Sequence, residues 1–252
     1  MSVLAIRLSG PLQAWGSSRR LDHYRRTEAF PTKSAVIGLL AAAIGRARTD
    51  PIGDLAGMHF GVRADRPGEV LSDYHTVSSL FDEKGRFNPT KGRLPKAGGS
   101  YRPAATSIQV TERFYLSDAC FVAGLEGDKK MLDYLDQSLA HPIFPSYLGR
   151  RSCPPDAPLR LGVHAGTLLE VLGSIPWQGG VQAKKATDSV RCEAVIEDED
   201  GNRELVDEVR SFDPVNRSYN RRRVRYHYLD VVNPASERHD LYHDPMAMLG
   251  DS

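Results

Sequence analysis

The segment that most restricts the fold of this chain is a run that is apolar on nearly every side. It spans residues 34–44, follows Pro31 and Thr32, and ends at Gly45. Proline and threonine are typical of helix starts and glycine of helix ends, so the run predicts a helix with Thr32 as a candidate N-cap. A helix that is apolar all round has to be buried, and we expect it to pack against a sheet.

Strands are predicted on both sides of this helix. Alternating β-formers predict a first strand over 2–9, which Gly10 and Pro11 are expected to end, and an amphipathic helix is predicted over 129–139. The other strand candidates are 58–63, 71–77, 106–115, 119–125, 190–196 and 224–232, and a further helix is predicted at 167–172. This α+β order fits a ferredoxin-like β-α-β-β-α-β core, the arrangement of RNA-recognition (RRM-like) domains.

The chain is predicted to form two domains, a ferredoxin-like domain over 1–146 and a small β-rich C-terminal domain over 147–252. Within the first, residues 78–105 lack apolar periodicity and contain four glycines, three prolines and six basic residues. Long loops without secondary structure are usually functional or disordered. A basic arm that contacts a nucleic-acid backbone is one interpretation and disorder is the other.

Composition excludes several classes of protein. No apolar run is long enough to span a bilayer and the N-terminus lacks a signal-peptide layout, so we expect a cytoplasmic protein with no membrane contact. The three cysteines are far apart, which argues against disulfides and a metal site, and no cofactor motif is present. The net charge is only +1, but residues 191–213 are rich in acids and residues 215–225 carry five arginines and no acid.

The first candidate site is the segment around Tyr147, which prolines bracket on both sides. Gly149 permits a tight backbone path, arginines form forked hydrogen bonds to phosphate, and a tyrosine ring stacks on bases. The alternative is an interdomain turn with two surface arginines. The residues expected at an RNA site here are Tyr147, Leu148, Gly149, Arg150, Arg151 and Ser152.

The second candidate is the loop at Trp15 and Gly16, together with the helix start at Lys33 and Ser34. Free N–H groups and the dipole at a helix N-terminus favour an anion such as phosphate. A Walker loop is absent, so nucleotide hydrolysis is disfavoured. The alternative for Trp15 is a core residue. A further basic cluster at 217–225 is a less specific phosphate-binding candidate.

Signals for catalysis are weak. His75 is the best candidate for a general base, yet a histidine on a strand is more often structural, and no metal-ligand spacing or nucleophile motif is present. We therefore expect no catalytic and no metal-binding residues. A metal-free ribonuclease, which needs only a base, an acid and a cationic group, is the alternative.

Four segments, in this order along the chain, carry a resemblance to a known family. They are Leu8-Ser-Gly-Pro-Leu-Gln-Ala-Trp-Gly, Phe30-Pro-Thr-Lys-Ser with Gly38-Leu-Leu-Ala, Asp73-Tyr-His-Thr-Val, and Tyr147-Leu-Gly-Arg-Arg-Ser-Cys-Pro. Residues 3 to about 160 resemble the Cas-five family, in the form of the CasD subunits of type I-E CRISPR Cascade complexes.

The resemblance implies a non-catalytic, antiviral RNA-binding subunit with a RAMP-type ferredoxin-like domain and a β-hairpin thumb at 78–105. It implies that the subunit caps the 5′ handle of the CRISPR RNA. The expected partners are the backbone subunit CasC, the large subunit CasA and the other Cascade subunits. Target DNA is expected to bind the complex without direct contact to this subunit. The expected thumb contacts are Lys91, Arg93, Lys96 and Arg102. Relatives in type I-C systems do cut repeat RNA, but their adjacent Lys-His pair is absent here.

Overall fold

The computed structural model describes residues 1–16, 24–77, 93–95, 101–103, 109–180 and 187–234. The described strands are β1 (Ser2–Gln13), β2 (Tyr24–Arg25), β3 (His59–Arg66), β4 (Glu69–Val77), β5 (Arg93–Pro95), β6 (Tyr101–Pro103), β7 (Gln109–Gly127), β8 (Arg160–Ala165), β9 (Ser189–Glu197), β10 (Arg203–Ser211) and β11 (Ser218–Val232). The described helices are α1 (Lys33–Ala43), α2 (Gly53–Ala56), α3 (Lys129–Ala140) and α4 (Leu168–Ser174).

One large sheet organises the molecule, with the strand order β10-β11-β9-β3-β7-β1-β8. Neighbours along this path are antiparallel; β4 also pairs antiparallel with β7, and β2 pairs with it in parallel. The centre of the sheet has the strand order β8-β1-β7-β3. Along the chain, helix α1 lies between β1 and β3, and helix α3 lies between β7 and β8.

Both faces of the central sheet are covered. Along β1 the side chains alternate, so that Leu4 and Ile6 join the core beneath α1 and α3 while Val3 and Ala5 pack with α4 on the other face. The predicted burial of α1 is confirmed, since most of its residues lie in that first core.

The ends of the helices agree with the sequence, with one difference at the start of α1. Thr32 occupies the N-cap position, but its side chain accepts no capping hydrogen bond. The carboxylate of Asp207 on β10 accepts instead, from the Lys33 N–H at 2.9 Å. Helix α3 begins as predicted, with Asp128 accepting from the Met131 N–H.

Three strand predictions were wrong. Strand β1 does not stop at Gly10 and Pro11 but continues to Gln13, because β7 keeps pairing with it on both sides of the proline. The strands predicted at 106–115 and 119–125 are one strand, β7, in which Asp118 has a left-handed backbone (φ 55°). Strand β10 was not predicted, because the inward-facing positions of its sequence alternate only weakly and include the acid Asp207 between Leu205 and Val209.

Beyond the central sheet, β4 and the first half of β7 form a ribbon that leads into the predicted arm. Within the arm, β5 and β6 pair antiparallel. Arg93 and Arg102 lie on these strands, whereas Lys91 and Lys96 lie outside the described residues. The thumb therefore stays a prediction.

Strands from both predicted domains share the sheet. Strand β8 pairs with β1, and β9 pairs with β3, across the predicted boundary at residue 146. The division into two domains stays a prediction. No helix among the described residues is long and apolar enough to cross a membrane.

Candidate nucleic-acid interface

The segment after Tyr147 is a compact turn built on its own backbone. The Leu148 N–H donates to the Cys153 carbonyl at 2.7 Å, and the Cys153 N–H donates to the Arg150 carbonyl at 2.9 Å. Leu148 and Cys153 are buried and anchor the turn in the core. Burial raises the pKa of the Cys153 thiol, so it stays protonated and uncharged at neutral pH.

This turn, residues 147–153, lies directly against the end of β1. The Ala14 N–H donates to the Leu148 carbonyl at 3.1 Å. Gly149 has φ +85°, and a Cβ placed there would lie 1.8 Å from the Ala14 carbonyl oxygen. Only glycine fits this position. The structure thus brings together the first and second predicted segments, through Ala14 and Gly149.

Arg150 is half-buried and already has partners within the chain. Its Nη2 donates to the Arg25 carbonyl at 2.9 Å, and its guanidinium carbon lies 4.6 Å from the centroid of the Tyr115 ring. Its Nη1 is enclosed and has no partner among the described residues. The sequence analysis did not identify Tyr115 as a partner of Arg150. The only sequence signal for this contact is the place of Tyr115 on β7, where the buried part of that strand begins.

The outward side of the turn is open to ligands. Arg151 and Ser152 are exposed and Tyr147 is partly exposed. Gly16 is exposed beside the end of β1, and no atom of the described residues lies within 4 Å of where its side chain would begin. These residues offer a guanidinium, a hydroxyl, an aromatic ring and exposed backbone. Single-stranded nucleic acids bind to such groups through phosphate contacts and base stacking.

Trp15 has a structural role in this fold. Its ring is fully buried, and its Nε1 donates to Gln13 Oε1 at 3.0 Å. Gln13 in turn donates to the carbonyls of Leu8 and Ala119. The ring therefore has the place expected of the alternative, a core residue, and RNA binding at this loop stays a prediction.

Lys33 and Ser34 are also buried. The Lys33 ammonium, with 2% exposure, lies 3.1 Å from both Glu197 carboxylate oxygens and 3.6 Å from Glu208. The phosphate predicted at this helix N-terminus would occupy the place that Asp207 already fills. The Lys33 N–H and ammonium thus have acidic partners within the chain, and the acid-rich stretch at 191–213 was the sequence signal for these pairs. Phosphate contact at Lys33 and Ser34 stays a prediction.

The basic cluster at 217–225 is largely neutralised by neighbouring acids. Arg222 is buried and makes two hydrogen bonds to Asp207, at 2.6 and 2.9 Å. Arg221 pairs with Glu204 at 3.2 Å, and Arg225 pairs with Asp198 at 2.7 Å. The two oppositely charged stretches of the sequence therefore bind each other.

His75, the candidate general base, is exposed on β4. In the described part of the chain, its imidazole makes no hydrogen bond or ion pair. The same residues contain no cluster of three or more His, Cys, Asp or Glu side chains placed to hold a metal ion.

Comparison with known proteins agrees with the fold and the sequence segments. The family described as CRISPR-associated protein (Cas_Cas5) matches residues 3–225. The CRISPR system Cascade subunit CasD of Escherichia coli (strain K12) is 34% identical over 176 residues, which cover 64% of this chain and 70% of that protein.

Two solved structures are similar over nearly the whole chain. A chain of a structure titled "CRISPR RNA-guided surveillance complex" has a TM-score of 0.74 and 31% identity, and 91% of each chain is covered. One titled "Crystal structure of Cas protein" has a TM-score of 0.67 and 34% identity, covering 92% of this chain and 99% of that one. With a family match over most of its length, this chain belongs to the Cas5 family of CRISPR-associated proteins.

Proposed function

We propose that this chain is a non-catalytic subunit of a CRISPR Cascade surveillance complex that binds the 5′ handle of the CRISPR RNA. The observation that carries the proposal is the turn 147–153, which is fixed against the end of β1 and presents Arg151 and Ser152 outward beside Gly16. Such a surface suits the phosphates and unstacked bases of a hooked single strand. The relatives named as a Cascade subunit and an RNA-guided surveillance complex support CRISPR RNA as the bound strand.

The central strand order supports a ferredoxin-like core for this subunit. In β8-β1-β7-β3 all neighbours are antiparallel, and the helices α1 and α3 follow the first and third strands in sequence. This order is the one expected of a β-α-β-β-α-β arrangement, in which β8 would be the last strand. The core would thus extend past residue 146.

The ribbon of β4 and β7 is the proposed contact with a neighbouring backbone subunit, CasC, with the arm at 78–105 as its thumb. Val70 and Tyr74 on β4 are 68% and 66% exposed, and Leu71 is exposed as well. Exposed apolar residues grouped on one strand are typical of protein interfaces. The large subunit CasA would lie next to this chain, and target DNA would meet the complex without direct contact to this chain.

The experiment that tests the RNA site replaces Arg150 and Arg151 together with alanine. The affinity of the full chain for CRISPR repeat RNA from the same organism, measured by filter binding, should fall at least tenfold. The reason is that a hydrogen bond to a charged group contributes about 1.5–3 kcal/mol. Arg48→Ala, in the exposed connection between α1 and α2, is the control for loss of charge. Unchanged RNA affinity and unchanged complex assembly in the double variant would disprove the site.

The same samples test the absence of catalysis. Repeat RNA incubated with the full chain without metal should stay intact on a denaturing gel. A discrete product would instead support the endoribonuclease alternative.

A further inference from the structure

We propose that the two adjacent arginines of the turn have different roles: Arg151 contacts phosphate, and Arg150 is a positioning residue that holds the neighbouring loop. The inference rests on the proposed function, since it assigns roles within the same RNA site. It follows from the different surroundings of two side chains that the sequence alone does not distinguish.

Arg150 has little left to offer a phosphate. Tyr115 lies against its guanidinium at 4.6 Å, its Nη2 is bound to the Arg25 carbonyl at 2.9 Å, and its Nη1 is enclosed. A phosphate oxygen would have to displace these neighbours to form a forked hydrogen bond. Arg151 is exposed and points its charge to solvent, where a phosphate can reach it without rearrangement.

What Arg150 holds is the returning end of the loop that begins at Gly16. Arg25 lies on the short strand β2, which pairs with β7 at Arg113. Two further bonds close the loop at its base: the Trp15 N–H donates to Thr27 Oγ1 at 2.9 Å, and the Glu28 N–H donates to the Trp15 carbonyl at 2.7 Å.

The bond from Arg150 to the Arg25 carbonyl ties β2 to the turn. Arg150 spans three elements at once, namely the turn, β2 and β7, through its backbone, its Nη2 and its guanidinium face. The backbone fixes the turn against the end of β1, and the Arg150 side chain adds the link from the turn to Arg25 on β2. Losing it would disorganise the site without removing a phosphate contact.

Salt dependence separates the two roles. Each phosphate contact to a single strand contributes about 0.7 to the slope of log affinity against log salt concentration. A labelled RNA copy of the host repeat's 5′ handle would be titrated with the full chain at several KCl concentrations. Arg151→Ala should weaken binding and lower the slope by about 0.7. Arg150→Ala should weaken binding several-fold and leave the slope unchanged.

Conservative variants give a second readout. Arg151→Lys should retain most affinity and the full slope, because an ammonium is also a phosphate-binding charge. Arg150→Lys should behave like Arg150→Ala, because an ammonium lacks the planar fork that stacks on Tyr115 while bonding Arg25. Tyr115→Leu should weaken binding too, and adding it to Arg150→Ala should cost little more.

The proposal is overturned if Arg150→Ala lowers the slope as Arg151→Ala does, or if Arg150→Lys restores binding. Thermal unfolding of each variant identifies any that fail to fold, and Tyr115→Leu then tests the same link in place of Arg150→Ala. Failure of the proposed function looks different, because the wild-type chain would then bind repeat RNA no better than an unrelated RNA of equal length.

Discussion

At the scale of single residues, Gly149 decides whether the turn can lie against β1. Its backbone is left-handed, and the Ala14 carbonyl lies where a side chain would begin. The sequence predicts a tight backbone path at this glycine, and that expectation holds. The path, however, is set by a neighbour more than a hundred residues earlier in the chain, which no local pattern reveals.

Gly149→Ala should destabilise the protein and weaken RNA binding together. The left-handed backbone alone costs about 1–3 kcal/mol for a residue other than glycine, and the clash with Ala14 adds to it. We expect a loss in Tm of several degrees, measured by circular dichroism. Gly53→Ala on α2 is the matched control, since no atom of the described residues lies within 4 Å of its added Cβ. An equal, small change in both variants would contradict this account.

Residue type also fails to separate buried from exposed charges. Lys33 and Arg151 both read as phosphate ligands in the sequence, yet the Lys33 ammonium is buried on Glu197, 164 positions away. Trp15 likewise fits a residue of an RNA-binding loop or a core residue until its burial and its hydrogen bond to Gln13 are known. Long-range pairing, which a single sequence does not display, separates these cases.

At the scale of elements, the helices follow local patterns, and the N-terminus of α1 is the exception. Its apolar residues and the residues flanking them predict its ends well. Its N-terminal N–H, by contrast, is satisfied by Asp207, which also binds the buried Arg222. A helix N-terminus attracts an anion, and here the chain supplies that anion from β10.

Asp207→Ala should therefore be strongly destabilising. It leaves Arg222, which is only 6% exposed, without its carboxylate, and breaking a buried ion pair costs about 3–5 kcal/mol. Glu204→Ala on the same strand removes the exposed partner of Arg221 and should cost at most about 1 kcal/mol. Urea unfolding of both variants measures the difference. A similar midpoint for the two would show that the buried pair contributes no more than the exposed one.

At the scale of the whole molecule, the sheet runs without interruption across the boundary predicted from sequence. The predicted boundary near residue 146 rests on the β-rich pattern that follows it, and such a pattern does not show which sheet a strand joins. The C-terminal β9 pairs with β3, and β8 pairs with β1. Strand partners in an antiparallel sheet of this size are set by packing between distant segments, which explains why the pairing could not be predicted.

Residues 1–146 alone should consequently fail to fold cooperatively. Such a chain loses β8 and β9 from the edges of β1 and β3, and it lacks Val195, Val209 and Val224 of the main core. Burying a valine side chain contributes about 1.5–3 kcal/mol, against a total stability of about 5–15 kcal/mol for a typical domain. Amide dispersion in NMR spectra and the urea transition would measure this. A chain ending at residue 234, which keeps every described strand, is the control and should unfold in one transition. A sharp transition for residues 1–146 would show instead that the predicted first domain is autonomous.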